Sequence, residues 1–484
     1  MVEDSILDIK NYIGGDFIDS PQGGLFDVVE PATGRTFARA PLSQSSDVNK
    51  AVEAARISQP SWGSIGVDER ADWLDRIADA LEDRHEKIAI LESRDTGKPI
   101  SLARSIDASR SVRNFRFFAE ILRELEQETF EMGDAMNFVV NKPVGVGALI
   151  TPWNLPLYLL SWKIAPAIGM GNTVVCKPSE LTPMTADLLM RVLDEIGMPS
   201  GVVNLVHGNG IDAGAPLVAH KGVDFVSFTG GTATGEKVAA SAAPSFKKLS
   251  LELGGKNSSI VFSDCDMSSA VSGVARAGFL NQGQICLCGS RILVEGAIYE
   301  EFRERFVGHV EKMRIGDPSD EGTALGALIS KDHLEKVLGY VDLAKKEGGT
   351  ILTGGGKCAP EGFEEGNWML PTVIEGLAAD SRCATEEIFG PLVTLHRFES
   401  EKEALEIANN TRYGLAGSVW TGDLERGRKF SEKMETGMVW VNSWLHRDLR
   451  TPFGGVKDSG VGREGGRWSL GFFSEAMNVC IKRD

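Results

Sequence analysis

The chain has 484 residues, too many for one hydrophobic core, since single cores stop growing near about 250 to 300 residues, so two domains or more are expected. Apolar residues at 42% and charged residues at 25% describe an ordinary globular protein and exclude a disordered one, while a formal net charge of -17 without any basic run excludes nucleic acid as a partner. The acidic amino terminus lacks the apolar segment of a secretory signal, and no apolar run approaches the ~20 residues of a membrane span, so no membrane partner and a cytoplasmic location are expected.

The seven cysteines, at 176, 265, 286, 288, 358, 383 and 480, are odd in number and scattered, which fits a reducing compartment. Neither they nor the seven histidines show metal-ligand spacing, so no bound metal is expected.

In chain order, residues 46–91 and 98–126 carry apolar residues at three- and four-residue spacing and predict helices that cover a sheet. From about residue 144, β-branched runs alternate with helical patterns: VGVGALITP then LPLYLLSWKIAPAIG, NTVVCKP then TADLLMRVLDEIG, VVNLVHG then AGAPLVAHKG, VDFVSFTG then TGEKVAASAA, and finally KKLSLELGG. The apolar runs are nearly continuous, as in strands buried on both faces of a parallel sheet, and the repeated units predict a doubly wound α/β fold. Ligands of such sheets sit at the carboxyl ends of the strands, where TPWN, KPSE, HGNG and FTGG fall. A second series, from about residue 268 through RILVEG, TILTGG, LPTVIEG, VTLHRFES and MVWVN, predicts a second α/β domain beginning just after Gly254 and Gly255.

The glycine-rich stretches match neither standard nucleotide fingerprint. His207 to Gly214 is one residue too long for Gly-x-Gly-x-x-Gly, and Gly230 to Gly235 is followed by Glu236 where a P-loop has lysine. The second still follows a strand and opens a helix, so it either holds a phosphate on its amides or forms a tight turn. Asn154, between a strand end and Pro156, can donate to an oxyanion or cap a helix. Glu252 ends a strand among apolar neighbours, where burial raises a carboxyl into the working range of a general base; an ion-paired strand end is the alternative.

In NQGQICLCGS, residues 281–290, Cys286 and Cys288 stand one residue apart at the boundary between a helical pattern and a strand, where reactive groups are presented. Each can be a nucleophile or a small buried hydrophobe. In an extended segment the two face opposite ways, and only one enters a cleft.

TPWN, KPSE, FTGG-x-x-x-G, LELGGKN, NQGQICLCGSR, EEIFGP, GMVWVN and PFGGVKDSGVGREGG, in this order and spacing, resemble the aldehyde dehydrogenase superfamily across essentially the whole chain. The resemblance implies α/β architecture with two doubly wound domains, Rossmann-like NAD-binding (1–124 and 144–254) and catalytic (255–458), plus a small β oligomerisation arm (125–143 and 468–484) of a homodimer or homotetramer. It implies NAD-dependent oxidation of an aldehyde. Cys286 then attacks the aldehyde, Cys288 is its structural neighbour, and Asn154 with the Cys286 N–H holds the oxyanion of the thiohemiacetal. Glu252 activates the water that hydrolyses the ensuing thioester. Lys177 and Glu180, with Ser179, are implied at the adenosine ribose, where a carboxylate disfavours the 2′-phosphate of NADP. Ile150, Thr151, Pro152, Trp153, Phe228, Thr229, Gly230, Gly231 and Leu253 complete the cofactor cleft, and Glu387 and Phe389 hold the nicotinamide ribose and ring. Many relatives have serine at the position of Gly231, so here backbone amides are left to hold the phosphate.

NSWLHRDLRTPFGG and GREGGRWSLGFFSEAMNVC resemble the branch that oxidises 2-hydroxymuconic and 2-aminomuconic semialdehydes, in aromatic-ring catabolism. The resemblance implies that Arg447 and Arg110 face a substrate carboxylate, with Leu155, Trp162 and Phe453 lining the same site. Arg110 is also one of four arginines, with 104, 113 and 116, that can form a solvated helix face. Dehydrogenation of uncharged aldehydes is the alternative. A CoA-acylating activity is disfavoured by Glu252, and a crystallin-like structural role by the joint retention of Cys286, Glu252, Asn154 and Lys177.

Overall fold

The computed structural model describes residues 6–20 and 22–483. Residues 1–5 of the acidic amino terminus, Pro21, and Asp484 at the end of the 468–484 span lie outside the described residues.

The continuous apolar runs pair as expected. An eight-stranded sheet runs in the order Gly460–Val461, Lys248–Glu252, Phe225–Thr229, Val146–Ile150, Thr173–Lys177, Val203–Leu205, Asn11–Ile13, Asp16–Ile18. Its five central strands are parallel, and the short outer ones are antiparallel. Chain order proceeds outward from Val146–Ile150 in both directions, so the switch point of a doubly wound sheet falls between that strand and Phe225–Thr229. All residues of Val146–Ile150 and Thr173–Lys177 are buried. One face packs on Leu74, Phe115, Phe118, Leu157 and Ile164, the other on Val48, Val52, Leu217 and Val238.

Helices cover this sheet over the first stretch predicted: Ser45–Ser64, Val67–Glu82 and His85–Thr96. The second stretch is interrupted. A short turn Ile100–Leu102 passes into a π-helical turn, Ala103–Ala108, before the regular helix Ser109–Arg123. Periodicity at 3.6 residues does not register one such widened turn.

A second sheet of seven strands has the order Thr350–Thr353, Thr372–Glu375, Leu392–Phe398, Arg291–Glu295, Ser258–Val261, Ala416–Trp420, Met438–Val441. Only its edge strand Thr350–Thr353 is antiparallel. The interior strand Ala416–Trp420 escaped the sequence reading because Gly417 and Ser418 dilute its apolar run. A separate antiparallel sheet joins Ser474–Lys482, Ala135–Pro143 and Thr129–Met132. Among the described residues no helix is long and apolar enough to cross a membrane.

Candidate active site

A cleft of about 270 Å³ opens at the carboxyl ends of the first sheet's strands, and its walls bring together Asn154, Leu155, Trp162, Leu253, Cys286, Glu387, Phe389, Arg447 and Phe453. Pro152, Trp153, Thr229, Gly230 and Gly231 line it as well and are shared with a second cleft of about 560 Å³. That second cleft also takes in Ile150, Thr151, Lys177, Ser179, Glu180 and Phe228. The two clefts meet at these five shared residues, which flank the switch point.

Cys286 reaches the cleft through an unusual turn. The helix Met267–Phe279 is followed by Asn281, Gln282 and Gly283 at φ of 53°, 55° and 70°, three consecutive left-handed residues of which two are not glycine. Such conformations cost ~1 to 3 kcal/mol each and persist where surroundings hold them. Here the holds are explicit: Gln282 Nε2 donates to Ala327 O at 3.0 Å, Gln284 Oε1 accepts from Ile329 N at 3.1 Å, and Asn281 Nδ2 donates to Gln284 O at 3.1 Å. The segment then turns, with Cys288 N donating to Ile285 O at 2.9 Å, so the extended geometry considered from sequence is not the one adopted. The two cysteines are still separated. Cys286 lines the cleft, whereas Cys288 packs with Leu155, Ala277 and Trp444.

Asn154 is buried at 4% exposure, and its Nδ2 donates to Gln284 O at 2.9 Å. That bond takes one of two amide hydrogens and leaves the other for a group in the cleft.

Glu252 lies behind the cleft rather than on its wall. Both carboxyl oxygens are buried without a hydrogen-bond partner, and Gly454, at φ 147°, is so close that a Cβ there would stand 2.8 Å from Oε1. Beside it, the nearly fully buried Lys163 Nζ donates to Glu464 Oε1 at 2.7 Å and to Ser227 Oγ at 2.8 Å. Burial, reinforced by Glu464 and opposed by Lys163, Arg463 and Arg447, raises the Glu252 pKa well above the usual carboxyl range. Burial also raises the Cys286 thiol, with Glu387 and then Glu252 adding to it.

Glu387 Oε1 accepts from Gly255 N at 3.0 Å, and a Cβ at Gly254 would stand 2.0 Å from Glu387 Oε2, so any larger residue there would displace this carboxylate. Phe389 has φ 64°, and its carbonyl lies 2.6 Å from the His333 ring nitrogen. Trp153 stands edge-on to both rings at 5.3 Å. His333 and Lys336 line this cleft and were not read from sequence, because a helix 50 residues downstream supplies them.

The second cleft fits a dinucleotide. Lys177 Nζ pairs with Glu180 Oε2 at 3.2 Å, offering a cation and a carboxylate to a sugar's hydroxyls. Thr151 Oγ1 and Thr229 Oγ1 are buried without partners beside them. The turn Gly230–Gly231 is tight, as one reading held, but it also opens the helix Thr232–Ala242, which has no side-chain cap, and a Cβ at Gly231 would meet nothing. The uncapped amides suit a phosphate. Gly210 and Gly214 of the other glycine-rich stretch line the same wall.

Arg447 stands with its guanidinium 4.2 Å from the Phe453 ring centroid and 4.7 Å from that of Trp162. Its Nη1 donates to Tyr158 Oη at 3.2 Å, while Nη2 is buried with no partner. Arg110 is not on the inner cleft; it lies 5.3 Å over the Tyr158 ring and lines an outer groove of about 1010 Å³ that Arg447 also borders. The four arginines of its helix part ways here. Arg104 pairs with Glu86 and Glu321, Arg113 with Glu120, and Arg116 with Asp79 and Glu82, whereas Arg110 has no carboxylate partner among the described residues. Burial pulls its pKa down, and Arg447 is close enough to push the same way. Tyr158, missed in the sequence, thus bridges two guanidiniums that lack anions.

A sequence model of the aldehyde dehydrogenase family matches residues 17–479. The human 2-aminomuconic semialdehyde dehydrogenase is 47% identical over 483 residues, 99% of each chain. The 2-hydroxymuconic semialdehyde dehydrogenase of Pseudomonas sp. strain CF600 is 46% identical, covering 98% of this chain and 99% of that one. Among solved structures, betaine aldehyde dehydrogenase from Staphylococcus aureus in complex with NAD+ superposes with a TM-score of 0.95 at 36% identity, covering 98% of this chain and 94% of that chain.

Proposed function

The chain belongs to the aldehyde dehydrogenase family, and from that premise we propose that it is an NAD-dependent dehydrogenase of a semialdehyde that carries a carboxylate, of the 2-hydroxymuconic or 2-aminomuconic type. The observation that carries the substrate class is the pair Arg447 and Arg110 around Tyr158, with one guanidinium nitrogen buried and unpartnered. A carboxylate accepts two parallel N–H bonds from such a group and relieves the orphan.

The adenosine end of NAD is assigned to Lys177 and Glu180, its phosphates to the amides at Gly231–Thr232, and its second ribose to Glu387. Bound NAD supplies the acceptor for the electron pair that leaves the aldehyde carbon. The chain's own residues do the rest. Cys286 loses its thiol proton to water, Sγ bonds to the aldehyde carbon as the C=O π bond breaks, and the oxygen takes the charge. The second amide hydrogen of Asn154 and the Cys286 N–H face that oxygen, a preorganised pair worth far more in a dry cleft than in water. Once the carbon is oxidised to a thioester, Glu252 takes a proton from water, the hydroxide adds to the carbonyl, and Cys286 leaves as thiolate with the acid released. The sum is aldehyde, water and NAD+ giving carboxylate, NADH and two protons. Glu180 disfavours a 2′-phosphate and so favours NAD over NADP.

The reading extends to a cytoplasmic enzyme of aromatic catabolism, supported by seven unpaired cysteines, and to a homodimer or homotetramer. Phe130, Met132 and Ile481 are exposed on the three-stranded sheet, an apolar surface suited to a second copy. The test is kcat/KM for straight-chain aldehydes of equal length, with and without a terminal carboxylate. Preference for the acidic member supports the proposal, and equal rates or preference for the neutral member refutes it.

A further inference from the structure

Beneath the turn that carries Asn154 lies a buried ionic cluster that the steps above do not use. Lys98 and Asp107 are each 0% exposed; Lys98 Nζ stands 3.0 and 2.9 Å from the two Asp107 carboxylate oxygens and 2.9 Å from the main-chain O of Asn154. All three ammonium hydrogens are therefore spoken for. At the other end of the same turn, Leu157 N donates at 2.9 Å to Oε1 of Glu92, likewise 0% exposed, which also accepts the Thr185 hydroxyl at 2.8 Å. The stretch 154–157, which enters the helix Pro156–Gly169, is thus gripped at both ends by side chains from one neighbouring segment.

Asn281 Nδ2 adds a longer contact to Asn154 O at 3.3 Å and donates to Gln284 O, the same oxygen that accepts from the Asn154 amide. Lys98, Asn154, Asn281 and Gln284 form one network that ends two residues before Cys286. Asp107 enters it from the π-helical turn Ala103–Ala108, whose neighbour Ile106 lines the cleft. Widened turns of this kind recur at functional sites.

A buried ion pair is poor value as a stabiliser, because an apolar pair of similar volume often does as well or better. An ammonium can, however, fix a carbonyl in position, which a methylene cannot. We infer that Lys98, locked by Asp107, is a positioning residue that sets Asn154 so that its second amide hydrogen meets the oxygen of a substrate bound to Cys286. This rests on Asn154 being the oxyanion donor.

The test is a double-mutant cycle on the full-length enzyme with NAD and its preferred aldehyde: Lys98→Met, Asn154→Ala, and both together, each read for kcat and for NAD affinity. Met keeps the side chain's length, and burial already biases the orphaned Asp107 toward its protonated form. Asn154→Ala should lower kcat by roughly 100-fold or more, as loss of an oxyanion donor does, and Lys98→Met by about 10- to 100-fold, both with NAD affinity unchanged. In the Asn154→Ala background, Lys98→Met should cost nothing further. Equal losses in both backgrounds overturn the inference and leave the oxyanion reading intact, whereas undiminished kcat in Asn154→Ala overturns both. If Lys98→Met fails to fold, Asp107→Asn, which retains an acceptor for the ammonium, goes through the same cycle. Its smaller loss must again vanish without the Asn154 amide, and persistence of that loss is the refuting result.

Discussion

Replacing Arg447 with methionine removes the guanidinium while keeping an apolar stem against Trp162 and Phe453. The Nη2 atom is buried without a partner, and Nη1 meets only Tyr158 Oη at 3.2 Å. A substrate carboxylate therefore gains its hydrogen bonds at a group already desolvated. Hydrogen bonds to charged groups contribute ~1.5 to 3 kcal/mol each, and two of them at a half-buried residue total about 3 kcal/mol after solvent screening. That is a loss of roughly 100-fold in kcat/KM for the acidic semialdehyde. For an aldehyde of equal length ending in a methyl group, the substitution removes an unsatisfied donor and forfeits at most a cation–π contact of about 1 kcal/mol. The assay is initial NADH formation at substrate concentrations below KM, for both aldehydes and both proteins. A loss of the same factor for both aldehydes would refute carboxylate recognition by Arg447.

Two further outcomes follow from the charges. Glu252 must be deprotonated to take a proton from water, and its folded-state pKa is raised by burial and by Glu464. Activity is therefore lost as pH falls through that raised value and gained above it, so the rise in kcat should lie on the alkaline side of an ordinary carboxyl's titration, and Glu252→Gln should flatten the profile at a low rate. A flat wild-type profile, or an unchanged slope in Glu252→Gln, contradicts this. Glu180→Gln keeps an acceptor for Lys177 but removes the negative charge that pairs with it at 3.2 Å and repels a 2′-phosphate. The kcat/KM ratio of NAD to NADP should fall by about tenfold or more, the worth of one charge-assisted hydrogen bond, and an unchanged ratio places cofactor selection elsewhere.

The strands of both sheets were legible because burial on two faces leaves an unmistakable apolar run, as in VGALI and TVVCK. Ala416–Trp420 and Ser258–Val261 were not, since glycine and serine occupy interior positions there, and neither were the short outer strands Asn11–Ile13, Asp16–Ile18 and Gly460–Val461. The site was legible as an ordered set of motifs, yet the reason for NQGQ before Cys286 was hidden. Asn281, Gln282 and Gln284 hold a left-handed turn through partners at 154, 327 and 329, and no local pattern announces contacts across such separations. Arg110 looked like one arginine among four until ion pairs claimed the other three. Lys163 did leave a sign: a lone lysine inside LPLYLLSWKIAPAIG must be paired if that helix is buried, and its partner Glu464 lies 301 residues away. Tyr158 offered none, because its role depends on two guanidiniums brought to it by separate elements.

The central claim is that a carboxylate-bearing aldehyde is oxidised while attached to Cys286. Its most direct measurement is to mix Glu252→Gln with NAD and the acidic semialdehyde, quench, and map the product by peptide mass spectrometry alongside the NADH released. The account predicts one NADH per active site in a burst, slow turnover afterwards, and an acyl mass on Cys286 with none on Cys288. An acyl group on Cys288, or NADH formed with no covalent adduct on any cysteine, would contradict it.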